Sequence, residues 1–545
     1  MKFTTIIVLT FAFLITTTTT TNAEHPRDFI SGEALGALSI RGGAGINTLA
    51  KALSKQAGLD ANEALLANYF SLFIENANEI DFSSEVLLAV EPTVVAEGQK
   101  AGGLFGPMPH LVFICKPKAN SQLKVNKTFL TNTVLHDGWF IATGGMAANE
   151  PKTYRNSPIL DYLKSNQVSM AIEFGALWKK FGPIAQMTGG MMVSGMNKPG
   201  PNGLISPESK KTAKAARTAF SKLMKSCGTL DVITLDIGIK DFELLSNLNI
   251  STMEPIDVSG TSKMMIQMAS LLADDMVQYG MSGELTGRMI ENDIASLQSV
   301  IDYGSLPVLI NQGMKLLSDL SGDNVVSYGL SDQNGLTISA LTQVENQKEY
   351  LAAIPNLMNE FTGILLNEAN LSATPSPKSD NTWDISMIGS DAEDQKALDA
   401  IFPPGDTLRF KKHGKDKISI ALGPKKWKPL TRKHASPLAQ LIKQHKKVAV
   451  EFAITVNARE CMFGLLNIAK NFKSSEITKK INSSPPAKMS MMYGKNNSGY
   501  VMQLSLDLMG LAHLSKDVST ATRTKKKSAT TNKSPSGKLK SSESK

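Results

Sequence analysis

Cysteine is scarce in this sequence, with Cys115, Cys227 and Cys461 among 545 residues, and aromatic residues make up only 6%. Three cysteines permit at most one disulfide within the chain, and no CxxC or Cys/His spacing of a zinc site occurs. A disulfide scaffold and a zinc module are therefore excluded. Long apolar runs are missing too: the stretch Phe3 to Ile15 falls short of the ~20 residues of a spanning helix, and no later stretch reaches that length without a charge. Motifs that carry a mechanism are also absent. There is no GxxxxGK[ST] phosphate loop, GxGxxG, HExxH, GxSxG or Asp-rich calcium loop, and the SxxK match at Ser121 to Lys124 lacks its partner motifs. What remains is an ordinary globular composition, 42% apolar and 20% charged with 41 Gly and 24 Pro, enough to bury more than one core. Collagen, coiled coil and polytopic membrane proteins are excluded.

The first residues read as an export signal: Met1-Lys2, the apolar run, then a polar segment ending Thr21-Asn22-Ala23. Cleavage is expected after Ala23, leaving an exported protein, periplasmic or secreted, with no membrane span. No cysteine near that point offers a lipid anchor. The formal charge of +9 divides unevenly. Residues 521–545 hold eight cations against Glu543 and too little apolar surface to offset the entropy of ordering, so a disordered basic tail is expected. Within the body, Arg409 to Lys447 holds thirteen cations against Asp416. Its anion-binding candidates are Lys411, Lys412, Lys415, Lys425, Lys426, Lys428, Arg432 and Lys433. The rest of the body is net acidic by about eleven charges, so the folded surface is polarised, which suits either a polyanion contact or a plain solvated face. Phe410 and Trp427 are the only aromatics interleaved there, which argues against single-stranded nucleic acid as the partner.

Internal similarity organises the chain. Ile141-Ala142-Thr143-Gly144 followed by SPILDYLKSNQVSMAIEF (157–174) recurs as Ile420-Ala421-Leu422-Gly423 followed by SPLAQLIKQHKKVAVEF (436–452). Each copy predicts a strand, a turn, a short helix capped by Ser with Pro at its first position, and a second strand. Helical runs near 176–190 and 207–226 then lead to the strands DVITLDIGIKD and FELLSNLNISTM. Helical runs near 457–483 lead to KMSMMYG and GYVMQLSLDL. A related helix, hairpin, helix unit spans LPVLINQGMKLLSDL to ENQKEYLAAIPNLMNEF, turning at Asp332-Gln333-Asn334-Gly335. The fold class expected is α+β, in two tandem related halves at 24–304 and 305–520, each an antiparallel sheet with helices packed on one face. Gly189 to Pro207 is expected to form an exposed loop, and Ser372 to Asn381 a linker.

Few residues carry a chemical signal. His136-Asp137 could pair a base with its orienter, but neighbours on a strand face opposite ways, and an exposed turn is the expected reading. Glu173 and Glu451 fall on matching positions of the repeat, in otherwise apolar strands, and symmetric packing of the halves would make them paired carboxylates; the polar face of a half-exposed strand, or a strand end, is the expected reading. Of 25 methionines, Met187, Met191, Met192 and Met196 recur at helical spacing and Met489, Met491 and Met492 sit on a strand. Core packing is the expected role, ahead of an apolar groove or a copper(I) site. Sequons at Asn126, Asn249, Asn370, Asn482, Asn496 and Asn532 matter only in a glycosylating host. No catalytic, metal or cofactor residue is assigned.

In its layout, and in phrases such as HDGWFIATG and SPILDYLKSNQVSMAIEF, the body from about residue 30 to 515 resembles large exported bacterial proteins of unassigned function, common in planctomycetes, which repeat a strand-helix-hairpin unit. The resemblance implies export and repetition and brings no activity. The expected function is a non-enzymatic binding or scaffold protein of the cell envelope or extracellular space, meeting an anionic envelope polymer or membrane surface through its lysine-rich face and tail. Two alternatives stay open: a hydrolase with a dispersed site, and a carrier of an apolar ligand.

Overall fold

The structure is a computed structural model. It describes residues 26–57, 65–92, 110–144, 157–164, 166–195, 207–258, 262–272, 276–287, 322–331, 334–368, 371–375, 381–389, 391–428, 430, 436–468, 481 and 483–517. The expected signal segment, the basic tail, Arg432, Lys433, Met196, the helix at 306–320 and the residues 376–380 of the linker lie outside them.

The fold is α+β. Among the described residues, eighteen strands join through seventeen pairings, all antiparallel, into one sheet. The first eight are β1 (Gly36–Ile40), β2 (Val86–Glu91), β3 (His110–Cys115), β4 (Asn132–His136), β5 (Trp139–Gly144), β6 (Val168–Glu173), β7 (Leu230–Lys240) and β8 (Glu243–Thr252). The others are β9 (Val277–Met281), β10 (Asn324–Ser331), β11 (Gly335–Gln343), β12 (Leu371–Pro375), β13 (Thr382–Met387), β14 (Asp406–His413), β15 (Lys417–Pro424), β16 (Ala449–Asn457), β17 (Lys488–Asn496) and β18 (Gly499–Asp507). At the middle β8 pairs β18 along its length, from Glu243↔Asp507 to Ser251↔Gly499. Outward from β8 the order is β7, β6, β1, β2, β3, β5, β4. Outward from β18 it is β17, β16, β9, β10, β11, β15, β14, and then β13 and β12.

Turn chemistry fixes the hairpins. Asp241 and Phe242 both take positive φ, 51° and 65°, between β7 and β8, and Asp137 and Gly138 do the same, 47° and 77°, between β4 and β5. Positive φ at both central positions matches the twist of the flanking strands.

Helices α1 (Gly43–Ala57) and α2 (Leu65–Phe70) cover one face of the first strands. Ile46, Leu49, Leu53, Leu66 and Phe70 pack there with Ile40, Val86, Phe113, Cys115 and Phe140. The opposite face is covered as well: Ala37, Leu87, Ala89, Ile114, Trp139, Ile141 and Ala171 pack with Phe29, Ile159 and Leu163, in or beside the 3-10 turns Pro26–Phe29 and Pro158–Tyr162. This corrects the expectation of helices on one face. Two covered faces also explain why VLLAV and LVFIC read as unbroken apolar runs and not as alternating ones.

Further along lie α3 (Phe174–Gly195), α4 (Pro207–Cys227), α5 (Lys263–Ala269), α6 (Gln347–Glu368), α7 (Ala392–Ile401), α8 (Pro437–Gln444) and α9 (Ala458–Ile468). Met265 and Met268 of α5 and Leu438 and Ile442 of α8 pack on Val325, Leu341, Val450 and Met492. Tyr350, Ile354 and Met358 of α6 pack on Trp383, Phe410 and Ile418. The Ser-Pro cap holds at α8, where Ser436 Oγ accepts from Ala439 N–H with Pro437 at the first position. The first copy differs: Pro158 opens a five-residue 3-10 turn, and Ser157 Oγ donates to Ser31 O at 2.6 Å instead of capping. Helix α3 runs on to Gly195, so 189–195 of the expected loop is helical; its remainder through 206 lies outside the described residues.

Candidate functional site

The lysine-rich segment does not form one face. Lys411 and Lys412 are consecutive on β14, so their side chains leave opposite sides of the sheet, and Lys415 sits in the turn to β15. Lys425, Lys426 and Lys428 follow the far end of β15. Eight strand residues separate the two groups, about 25 Å at the usual rise. All six side chains are exposed. Lys425 lies 3.7 Å from Asp384, too loosely to neutralise it. Lys417, by contrast, is paired with Asp416 at 2.8 Å.

Arg409 belongs to the architecture of the second group. Its guanidinium donates to the carbonyls of Lys425 (3.0 Å), Pro424 (3.4 Å) and Trp427 (3.3 Å). Trp427 N–H in turn donates to Pro424 O at 2.9 Å, closing a turn that holds the indole beside Gly423 and fixes the lysines around it. Beneath, burial pushes the Asp406 carboxyl up to about 6, with Arg409 pulling the other way. A charge count along the sequence treats Arg409 as surface; its hydrogen bonds make it a positioning residue.

Trp427 forms part of the wall of a groove of about 830 Å3 that crosses one end of the central strands. Ser331, Asn334 and Thr337 come from the β10–β11 hairpin, and Gln440 and Gln444 from α8. Thr455 and Asn457 of β16, Ser490 and Lys488 of β17, Ser505 of β18, Glu243 of β8 and Glu460 of α9 add to the polar lining, with Met489, Leu330 and Leu441 among the apolar residues. The register aligns Ser505, Ser490 and Thr455 on adjacent strands, so hydroxyls repeat at strand spacing across the floor. Hydroxyls and amides both donate and accept, and one indole offers an apolar plate. Such a surface suits a hydroxyl-bearing chain better than a lipid tail.

The other end of the same strands holds a smaller cavity of about 320 Å3. Lys495 Nζ lies 2.6 Å from Glu284 Oε1 and 2.7 Å from Glu451 Oε1, and Glu451 is only 3% exposed. Asp323 shares the cavity; burial raises its carboxyl, against backbone donors from Gly283 and Met265. One ammonium between two carboxylates leaves the trio with one negative charge in excess. Among the described residues the lining contains no His or Cys, and its two serines accept from Val450 N–H and Leu285 N–H.

Glu173 and Glu451 are not brought together. Glu173 ends β6, its N–H bonded to Leu35 O ahead of β1, whereas Glu451 is third in β16, its carbonyl bonded to Ser282 N–H beyond β9. The sequence match thus aligned opposite ends of two strands. Burial and neighbouring Asp231 raise Glu173's carboxyl.

His136 and Asp137 do meet, Nε2 to Oδ2 at 3.2 Å, because Asp137 is in the turn and escapes strand alternation. Both are well exposed, on the outermost hairpin. Methionine use is divided: Met265, Met268 and Met492 are core, but Met187, Met191 and Met192 are exposed on α3, against the packing role expected for them. All three cysteines are free, and burial raises the Cys115 and Cys461 thiols, which favours the unreactive form. Among the described residues no cluster of His, Cys, Asp or Glu could hold a metal, and no helix is long and apolar enough to cross a membrane. No protein-family model, curated protein or solved structure matches the chain.

Proposed function

We propose that the protein is an exported, non-enzymatic binding protein of the envelope or extracellular space whose ligand is an anionic, hydroxyl-rich polymer. The observation that carries this reading is the junction at Trp427, where the hydroxyl- and amide-lined groove meets the exposed Lys425, Lys426 and Lys428. A chain lying in the groove would stack on the indole, exchange hydrogen bonds with Gln440, Gln444, Thr455 and Ser490, and carry its charges past the lysines. Electrostatic capture at the lysines sets the encounter and is screened by salt, while the groove supplies orientation.

We also propose that the sheet arose from two related units. The same strand order on both sides of β8–β18 supports this, with β12 and β13 as an addition to the second. On this reading the second unit begins ahead of α5 and β9, near residue 262 and not at 305, because β9 pairs with β10 and β16.

The test is titration of the protein without residues 1–23 with polygalacturonate and with neutral dextran, followed by tryptophan fluorescence across a salt series. Binding to the polyuronate that weakens with salt and falls about tenfold in Trp427→Ala and in the Lys426→Glu/Lys428→Glu variant supports the reading. Equal binding of both polymers, or binding indifferent to these changes, overturns it.

A further inference from the structure

We propose that the helical hairpin of α3 and α4 is a docking element for an anionic lipid surface. Helix α3 has 22 residues, about 33 Å of helix. Its start is seated on the sheet, where Gly175 closes on Leu230 O and on Met253. Its distal half packs instead on α4, with Gly189 against the ring of Phe220 so closely that a Cβ would fall 2.2 Å from it.

The outward side of that half is bare and uncharged, its methionines interrupted only by small or neutral polar residues such as Thr188. Met187, Met191 and Met192 are 50%, 59% and 70% exposed, and Leu223 of α4 is 56% exposed. Met187 and Met191 continue the stripe Lys180, Ile184 at i, i+4, i+7, i+11, away from the buried Gly182 and Val193. Helix α3 contains no acid, and after Lys180 no charge of either sign.

Helix α4 supplies the complementary charge. Lys210, Lys214, Arg217 and Lys225 follow helical spacing, Lys222 adds a fifth cation, and all are exposed. Among the described residues none of them, nor Lys179 or Lys180, forms a salt bridge. Single exposed apolar residues need no explanation, but three methionines on a helix without acids, beside five unpaired cations, form an amphipathic pair. Such a pair lies in the headgroup layer, its apolar side toward the acyl chains and its cations among anionic headgroups. The inference uses residues remote from the groove and does not depend on it.

The experiment is flotation of the chain without residues 1–23 on vesicles of phosphatidylcholine alone and of phosphatidylcholine mixed with phosphatidylglycerol. Binding to the mixed vesicles only is expected. It should fall about tenfold or more in Met191→Glu/Met192→Glu and in Lys214→Glu/Arg217→Glu, with unchanged melting temperature and with Trp427→Ala behaving as wild type. Absence of binding, equal binding to neutral vesicles, or retention in both variants overturns the proposal. So does self-association in solution that the methionine variant abolishes, which would assign the face to a second copy of the chain.

Discussion

Either side of the β8–β18 seam, the same corner of the strand frame is finished differently. Where β1 gives way to β2, Glu85 is held by Arg41 at 3.0 Å, Arg27 at 3.3 Å and the hydroxyl of Ser39, and its ligands close around it. Where β9 gives way to β10, Lys495 is shared between Glu451 and Glu284, and the carboxylates stand on the rim of a cavity. The faces differ too: the first strands are sealed on both sides by apolar clusters, while the end of β10, β16, β17 and β18 opens into the groove. An antiparallel frame can therefore serve as a sealed support on one side and carry polar recesses on the other, without a change in strand order. The position of a polar group within the sheet, and not the sheet's topology, decides which.

Five substitutions break or sharpen that contrast. Phe113→Ala empties a fully buried site beside Phe70 and Phe73 and should lower unfolding free energy by about 3–5 kcal/mol, with polyuronate affinity unchanged in the protein that remains folded. Lys495→Met removes the cation that buried Glu451 shares with Glu284 and should cost about 3 kcal/mol, whereas Arg41→Met should cost about 1 kcal/mol because Glu85 keeps Arg27 and Ser39. Denaturant melts of the pair measure the difference.

Asp406→Asn should act in the opposite direction. The carboxyl is lifted from 3.8 to about 6 in the fold, so the folded state holds its proton more tightly than the unfolded chain. Its stabilising contribution is present below about pH 4 and is lost as pH rises through about 6. The variant should therefore gain about 1–3 kcal/mol at pH 7 and lose that part of the pH dependence, read from melting curves between pH 4 and 7. Trp427→Ala, at the partly exposed mouth of the groove, should change stability by less than about 1 kcal/mol while lowering polyuronate affinity about tenfold.

Local elements were legible because local chemistry decides them. The Ser436-Pro437 cap and the apolar runs at 86–90 and 111–115 announce their structures over a few residues. Pairing across the chain was not. Nothing in GYVMQLSLD states that it lies beside ELLSNLNIST, some 250 positions earlier, and that pairing determines the centre of the sheet. The groove was hidden for the same reason, since Glu243, Asn334, Gln444 and Ser505 have no motif and meet only through strand order. The charge count gave the lysines one face, because spacing along a hairpin says nothing of which side each residue leaves. Arg409 is the clearest miss: only its three carbonyl partners separate it from the exposed cations around it.

The central claim is that the ligand occupies the groove and the lysines at Trp427, with the first strands as support. Backbone hydrogen exchange with and without polygalacturonate tests it most directly. Added protection at 425–428, 437–444 and 455–457, with none at 86–91 or 110–115, is the predicted result; protection confined to the Lys411 to Lys415 tip or to the first eight strands would contradict it.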